Sequence, residues 1–337
     1  MKKWLTYALG PLISLAIIYV LVGRDLDAVR GELARAHYGY LIPTGVLLIF
    51  SLLARAIRWH VLLNRRVTVW HAFHITNIGY MASAILPLRV GDLARPWMTT
   101  RLNPPVAGFT AISTIVVERL LDILALVAML GVMLVLLDVP TEVTSAGAVV
   151  AVLAFSGGLV LAGMAAKPNW VLNIIDWLTQ RLHVLNHLHL KERFRYFVRG
   201  IQPMGKLEIA FGALLWTTIA WGFSLAAGYV MLLMLFETPT LAATLSYIVL
   251  STMSVALPAV PGNLGPFEGA VVGGLWIGGL ITAASPPHNA PAVATGVVLH
   301  ALTLGLYVTL GLVGLSAEQA SIRQIAKGTQ ELVLQEV

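Results

Sequence analysis

The residues of this sequence best suited to chemistry are arginines and carboxylates that interrupt long apolar stretches. The stretch "RAIRWH" contains Arg55 and Arg58, three positions apart and therefore on one face of a helix. The stretch "ERLLD" places Glu118 and Asp122 four positions apart, with Arg119 between them. At the centre of a membrane helix each such charge costs at least about 2.5–3.5 kcal/mol unless it is paired or hydrated. We therefore expect these side chains to face a shared interior.

Further charges lie in or beside a motif that occurs twice. The stretches "SAILPLRVGDL" and "SVALPAVPGNL" both read S-x-x-L-P-x-x-x-G-[D/N]-L, 171 positions apart. The first copy contains Arg89 and Asp92 and is followed by Arg95, and the second contains Asn263 and is followed by Glu268. Guanidinium groups suit phosphate, whereas carboxylates bind cationic or hydroxyl groups or carry a proton. The motifs thus predict two related binding elements.

Each motif predicts a break between two half-helices. Leu-Pro ends the first half-helix, Asp92 or Asn263 N-caps the second, and Pro96 or Pro266 falls in its first turn, where proline costs little. Two half-helix N-termini then present N–H groups and partial positive charge to the protein centre. The simpler alternative is that the breaks only shape the fold.

The composition identifies the elements that must position these residues. Hydrophobic residues make up 58% of the 337 positions and charged residues 11%, against roughly 25% charged residues in soluble domains, and the mean hydropathy is +0.83. A bilayer requires about 20 apolar residues per helix. Runs of this length occur at residues 4–22, 40–63, 108–137, 143–166, 209–236 and 290–315. The sequence therefore predicts an all-α polytopic membrane protein with about six full spans.

The same survey excludes several function classes. The sequence contains no Walker loop, dinucleotide fingerprint or G-x-S-x-G motif, and its zero cysteines exclude thiolate metal sites and a cysteine nucleophile. The longest polar stretch, residues 167–206, is too short for a catalytic domain with its own core. We predict no catalytic residues, no cofactor, no metal site and no nucleic-acid partner.

The distribution of lysine and arginine predicts the topology, because basic residues near spans favour the cytoplasm. If residues 71–101 form a hairpin that enters and leaves on one side, the seven basic residues of the segment 167–206 become cytoplasmic. That segment has the pattern of an amphipathic helix on an anionic leaflet. Both termini are then cytoplasmic, whereas residues 138–142 and Glu237 lie outside.

This topology makes the two motif copies inverted relative to each other. Three spans separate the hairpins, so they enter from opposite faces, as in many secondary transporters. The predicted copies cover residues 40–137 and 207–315. The first hairpin is re-entrant, and the second is either re-entrant or two full spans.

The charges also have plainer interpretations. Arg55 and Arg58 could extend to the cytoplasmic interface, and Glu118, Arg119 and Asp122 could form a structural ion-pair group in which Arg119 pairs with Asp122. We further expect Asp92 to be held as an anion by an arginine of its own hairpin, Arg89 or Arg95.

Four stretches in order, "RAIRWHVLL", "LPLRVGDLARP", "ERLLDI" and "PGNLGPFEG", resemble the motifs of a flippase-like family that includes the transmembrane region of lysylphosphatidylglycerol synthases. The resemblance spans about residues 5–315. It implies movement of a lipid or lipid-linked head group between leaflets. In the synthases the lipid is an aminoacylated phosphatidylglycerol made by an attached cytoplasmic domain. We expect no such domain here, so the lipid is not carried over, and hopanoid or polyprenyl-linked lipids are equally compatible.

With this resemblance, the sequence predicts a lipid-transport domain over residues 1–316, located in an inner membrane. A polar cytoplasmic tail, residues 317–337, follows this domain. The expected partners are a membrane lipid (an anionic or aminoacyl phospholipid, or a hopanoid or polyprenyl-linked lipid), the anionic leaflet surface and a lipid synthase. Two rival interpretations are a membrane enzyme that acts on a polyprenyl phosphate or glycolipid through Asp92 and Glu118, and a non-transporting scaffold for a synthase. The predicted substrate-binding residues are Arg55, Arg58, Arg89, Asp92, Arg95, Glu118, Arg119, Asp122, Asn263 and Glu268.

Overall fold

A computed structural model describes residues 17, 19–21, 26–85, 91–137, 141–181, 190–254, 263–285 and 288–335, and the regular structure within these residues is helical throughout. The α-helices, numbered in chain order, are α1 (Leu26–Arg35), α2 (Leu41–Leu62), α3 (Val69–Ile85), α4 (Gly91–Thr100), α5 (Gly108–Leu136), α6 (Thr141–Ala166), α7 (Pro168–Arg181), α8 (Leu190–Ile201), α9 (Leu207–Leu232), α10 (Leu241–Ser254), α11 (Pro266–Ile277), α12 (Ala290–Ala317) and α13 (Ile322–Gln335). Short 3₁₀ helices precede α2 at Tyr38–Tyr40 and follow α8 at Gln202–Gly205. Arg89, the Leu-Pro breaks of both motifs and most of the predicted span 4–22 lie outside the described residues.

Among the described residues, five helices are long and apolar enough to cross a membrane, which confirms a helical multi-pass membrane protein. They correspond to five of the six predicted spans, and their apolar residues extend around the whole helix, as burial in lipid requires. These spans are Tyr38–Leu62, Gly108–Leu136, Gly147–Ala166, Leu207–Leu232 and Ala290–Ala317.

Four helices on either side of the two motif breaks are too short to span a bilayer alone. Helices α3 and α4 contain 17 and 10 residues, and α10 and α11 contain 14 and 12, against about 20 for a span. From the sequence alone, the second limb of the second hairpin could be long enough to cross the membrane. In the structure it is a 12-residue helix that ends at Ile277.

The chain divides into two compact units, and each unit contains one hairpin. The first-hairpin unit comprises Leu52–Leu124, Val150–Ala220 and Tyr307–Val337, and includes α3 and α4. The second-hairpin unit comprises Met1–Ser51, Ala125–Val149 and Trp221–Leu306, and includes α10 and α11. The unit boundaries fall inside all five long helices, so each unit contains a part of every one of these spans.

Glycines allow the two limbs of each hairpin to lie close together. In the first hairpin, a Cβ atom added to Gly79 would lie 2.8 Å from Arg95 Cγ and 3.1 Å from the carbonyl oxygen of Gly91. In the second, a Cβ at Gly274 would lie 2.6 Å from the backbone nitrogen of Tyr247, and Ser246 Oγ donates to the Gly274 carbonyl at 2.7 Å. Each hairpin is thus a tightly packed pair of half-helices.

The C-terminal helix α13 packs on the first hairpin. Ile325 is buried in the same hydrophobic cluster as Trp59, Ala94 and Met98. A Cβ at Gly328 would collide with the indole of Trp97, a residue of α4. The predicted polar tail therefore contains a helix that covers the half-helix bearing Arg95.

Candidate functional site

The first-hairpin unit contains seven of the predicted site residues in ion pairs, five in a linked series and two in a separate pair, Arg119 with Asp92; we call the seven together the charge network. The network contains four arginines and three carboxylates, so it carries one excess positive charge. Its members come from α2, α4 and α5 and are Arg55, Arg58, Asp92, Arg95, Glu118, Arg119 and Asp122.

Arg58 is the centre of the network and is 1% exposed. Its guanidinium forms a two-point contact with Asp122, from Nη1 to Oδ1 at 2.7 Å and from Nη2 to Oδ2 at 3.1 Å. It also donates to Glu118 Oε1 at 3.3 Å and to Thr217 Oγ1 at 3.2 Å. The i, i+4 spacing of Glu118 and Asp122 on α5 places both carboxylates on one helix face, where a single guanidinium reaches both.

Arg95 joins the network through the other oxygen of Glu118. Its Nη2 donates to Glu118 Oε2 at 2.6 Å, and its guanidinium carbon lies 4.1 Å from the centroid of the Trp59 ring. The indole N–H of Trp59 donates to Thr114 Oγ1 at 3.0 Å, which fixes the ring under the arginine. Such cation–π stacking favours arginine over lysine at this position.

Two donors of the network are buried without an acceptor among the described residues. They are the Nε–H groups of Arg58 and Arg95. A buried donor without a partner costs about 1–3 kcal/mol, and such groups in native structures call for an explanation such as a missing ligand or water. The network therefore has N–H groups that can donate further hydrogen bonds, in addition to its excess positive charge.

The network also has accessible members. Arg119 Nη2 donates to Asp92 Oδ1 at 2.6 Å, with the two side chains 51% and 35% exposed. Arg55 Nη1 donates to Asp122 Oδ1 at 3.3 Å, and both of these side chains are partly exposed. The network thus extends from a closed centre at Arg58 to groups that a ligand can reach.

The structure corrects three details of the sequence-based interpretation. Arg58 does not extend to an interface, because three acceptors hold it in the interior. Arg119, from another helix, engages Asp92, whereas Arg95 turns to Glu118 and Trp59. Asp92 lies in the first turn of α4, which begins at Gly91, rather than at its N-cap.

The family model of the lysylphosphatidylglycerol synthase TM region matches residues 7–311. The chain belongs to this family. The match confirms the resemblance suggested by the four motifs. No curated protein and no solved structure matched the sequence.

In this family member the second hairpin contains a different kind of buried polar group. Glu268 Oε1 lies 2.6 Å from His300 Nδ1, and Glu268 Oε2 accepts the backbone N–H of Gly265 at 2.7 Å. Gly265 is the N-cap of α11 and has φ 91°, a conformation suited to glycine. Glu268 therefore caps its own half-helix from the N3 position.

The predicted cap of this half-helix, Asn263, lies two residues before the observed N-cap. Its backbone adopts φ 59°, and its Nδ2 donates to Ser254 Oγ at 3.1 Å, which ties the start of the second limb to the end of the first. The Glu268 side chain takes the capping role because it reaches back to Gly265. Asn263 thus closes the hairpin and does not cap α11.

Sequence reasoning missed His300 and Thr217. His300 is an ionisable residue inside the 28-residue apolar helix α12, which was itself a signal of function. Thr217 carries no such signal, because a threonine in a membrane helix commonly bonds to its own backbone, as Thr217 also does to the Ala213 carbonyl at 2.7 Å.

Proposed function

We propose that this protein is a lipid transporter that moves a phospholipid or a lipid-linked head group between membrane leaflets. The observation that carries the proposal is the buried charge network, with its excess arginine and the unpartnered Nε–H groups of Arg58 and Arg95. Membership of the family supports a lipid-related role.

The network suits a phosphate-bearing head group. Arginine remains charged at all working pH values and offers several donors in a fixed plane that matches phosphate. A network with one excess positive charge becomes neutral when a singly charged phosphodiester binds. We propose that Arg55, Arg58, Arg89 and Arg95 bind the phosphate, and that Glu118 and Asp122 bind cationic or hydroxyl groups of the head group.

In the proposed mechanism, the head group enters a polar cavity beside the network while the acyl chains remain in the lipid. The two hairpins act as inverted repeats with re-entrant half-helices, and Asn263 and the half-helix N-termini contribute N–H donors. The distribution of lysine and arginine along the chain supports this topology.

The rival enzymatic function has less support. An enzyme that used Asp92 and Glu118 as acid and base would need at least one carboxylate ready to exchange a proton. Asp92 is paired with Arg119, and Glu118 is paired with both Arg58 and Arg95. Both carboxylates are therefore engaged by arginine side chains and are not free to act on a substrate.

The test is leaflet exchange in reconstituted vesicles. Purified protein is placed in phosphatidylcholine vesicles that contain phosphatidylglycerol with a fluorescent label on the head-group side. A quencher that cannot cross the membrane then measures the fraction of labelled lipid that reaches the outer leaflet. We expect exchange with the wild type, and little exchange with Arg95→Ala.

Arg66→Ala is the matched control, because Arg66 lies just after α2 and is exposed. It is expected to exchange lipid at the wild-type rate. Equal rates in protein-free and wild-type vesicles, for phosphatidylglycerol and for an aminoacylated phospholipid alike, would overturn the proposal.

A further inference from the structure

The second hairpin contains an acid–histidine pair that is separate from the arginines. Glu268 on α11 and His300 on α12 are each 8% exposed at the side chain, and their nearest polar atoms are 2.6 Å apart. The Phe267 ring lies 4.5 Å from the imidazole, centroid to centroid. The pair is therefore enclosed on the imidazole side by an aromatic ring.

The groups that act on the Glu268 carboxylate are few. They are the His300 side chain, the backbone N–H of Gly265 and the backbone N–H of Glu268 itself. In the described part of this unit the lysine and arginine residues are Arg30 and Arg35, both on α1. Arg35 is bound to Glu32, in an ion pair that is largely exposed on the arginine side. Unlike the charge network, this pair has no ion pair with an arginine among the described residues of its unit.

The charge of the pair therefore depends on protons. With one proton, on His300 Nδ1, the imidazole donates to the carboxylate and the pair has a net charge of −1. With one more proton the pair is neutral, as imidazolium and carboxylate or as imidazole and carboxylic acid. Histidine is the side chain whose charge changes most readily near neutral pH, and a buried net charge in a membrane is expensive.

We propose that Glu268 and His300 form a site that binds and releases one proton, and that this proton couples lipid movement to the transmembrane proton gradient. The coupling part rests on the proposed transport function, whereas the proton site does not. The step is a transfer of one proton from water to the pair and back to water, with no other bond formed or broken.

The capping bond supplies a physical route from the proton to the hairpin. Glu268 Oε2 accepts the Gly265 N–H at the start of α11, and an ionised carboxylate at this position interacts favourably with the helix N-terminus. Protonation of the carboxylate weakens both interactions. Gain of the proton by the carboxylate thus loosens the start of the half-helix, and its loss tightens it.

The site itself is tested on purified protein without any transport assay. Infrared difference spectra over a pH titration detect the gain of a proton by the carboxyl group, and also the change in the carboxylate bands when the proton is on the imidazole. We expect a band that titrates in the wild type and is lost in Glu268→Gln, whose amide oxygen can still accept the Gly265 N–H. We expect the band to shift to a different pH in His300→Gln. Identical titrations in wild type and Glu268→Gln would overturn the site.

The coupling is tested in the vesicles described above, with and without an imposed pH gradient. We expect the gradient to accelerate exchange several-fold in the wild type and to have no effect in His300→Gln, which retains exchange without a gradient. The matched controls are Glu237→Gln and His288→Gln, exposed residues of the same unit, and both should respond as the wild type does.

The outcomes separate the two proposals. Wild-type exchange that ignores the gradient would overturn the coupling and leave the transport function standing. An absence of wild-type exchange would overturn the transport function and the coupling together, while the infrared titration would still decide the proton site. If Glu268→Gln fails to fold, the infrared titration of His300→Gln is compared with that of the wild type instead, because His300 is the other member of the pair.

Discussion

Arg119 and Asp92 form the accessible ion pair of the charge network, with Nη2 and Oδ1 2.6 Å apart. The pair links α5 to the first turn of α4. Both side chains are partly exposed, so a ligand can reach this pair. We therefore expect the pair to contribute mainly to function rather than to stability.

Asp92→Asn should separate these two roles. The amide keeps a polar group in the first turn of α4 and removes only the charge. We expect loss of lipid exchange in reconstituted vesicles, with a thermal unfolding midpoint close to that of the wild type. Asp92→Ala, which loses both, should be no less impaired. Full exchange by the Asn variant would show that the charge of Asp92 has no part in transport.

Removal of Arg58 should lower stability in addition to lipid exchange. Arg58→Ala leaves Asp122 and Glu118 without their shared partner in the interior, and loss of one partner from a buried ion pair costs about 3–5 kcal/mol. Thermal or denaturant unfolding in detergent measures the effect, with Arg66→Ala as the exposed control. A change below about 1 kcal/mol, the range of exposed ion pairs, would mean that Arg58 is less essential to the packing than its contacts imply.

Neighbouring glycines of α11 offer a matched test of hairpin packing. A Cβ at Gly274 meets the backbone of Tyr247, whereas a Cβ at Gly273 has no heavy atom within 4 Å. Overpacking costs about 1–3 kcal/mol, so Gly274→Ala should lower the unfolding midpoint. Gly273→Ala should be neutral or slightly stabilising, because alanine favours helix over glycine. Equal effects at both positions would contradict the close approach of α10 and α11.

The topology is tested by impermeant labelling of single cysteines in intact cells, on a chain that has none of its own. A cysteine at Asn186, in the basic segment, should resist the reagent. A cysteine at Thr141, which is exposed at the start of α6, should react. The reverse pattern would exclude the inverted arrangement of the two hairpins.

Much of this architecture could be predicted from the sequence because a helix that crosses lipid must consist of about 20 mostly apolar residues. Long apolar runs became the long helices, and the two Pro-Gly motifs became the ends of short ones. The i, i+3 spacing of Arg55 and Arg58 and the i, i+4 spacing of Glu118 and Asp122 identified residues that do meet. Charge in an apolar run is a strong local signal, so the members of the charge network could be listed before their partners were known.

The partners were harder to predict, because pairing depends on how helices face each other. Nothing local to Asp92 indicates that Arg119, 27 positions away, reaches it in preference to Arg95. The pairing of Glu268 with His300 likewise depends on the packing of α11 against α12. The predicted N-cap of α11 was wrong for a related reason. The Glu268 side chain, at position N3, replaces the predicted Asn263 cap because the loop brings Gly265 within its reach.

The docking of α13 on α4 has a mechanical consequence. Ile325 and Gly328 fit against the half-helix that presents Arg95 to Glu118 and Trp59. Because α13 follows the span Ala290–Ala317 in the chain and contacts α4 directly, a displacement of α13 acts on the half-helix that contains Arg95 without passing through a membrane-spanning segment. The end of the chain and the ion pair of Arg95 with Glu118 are therefore mechanically coupled.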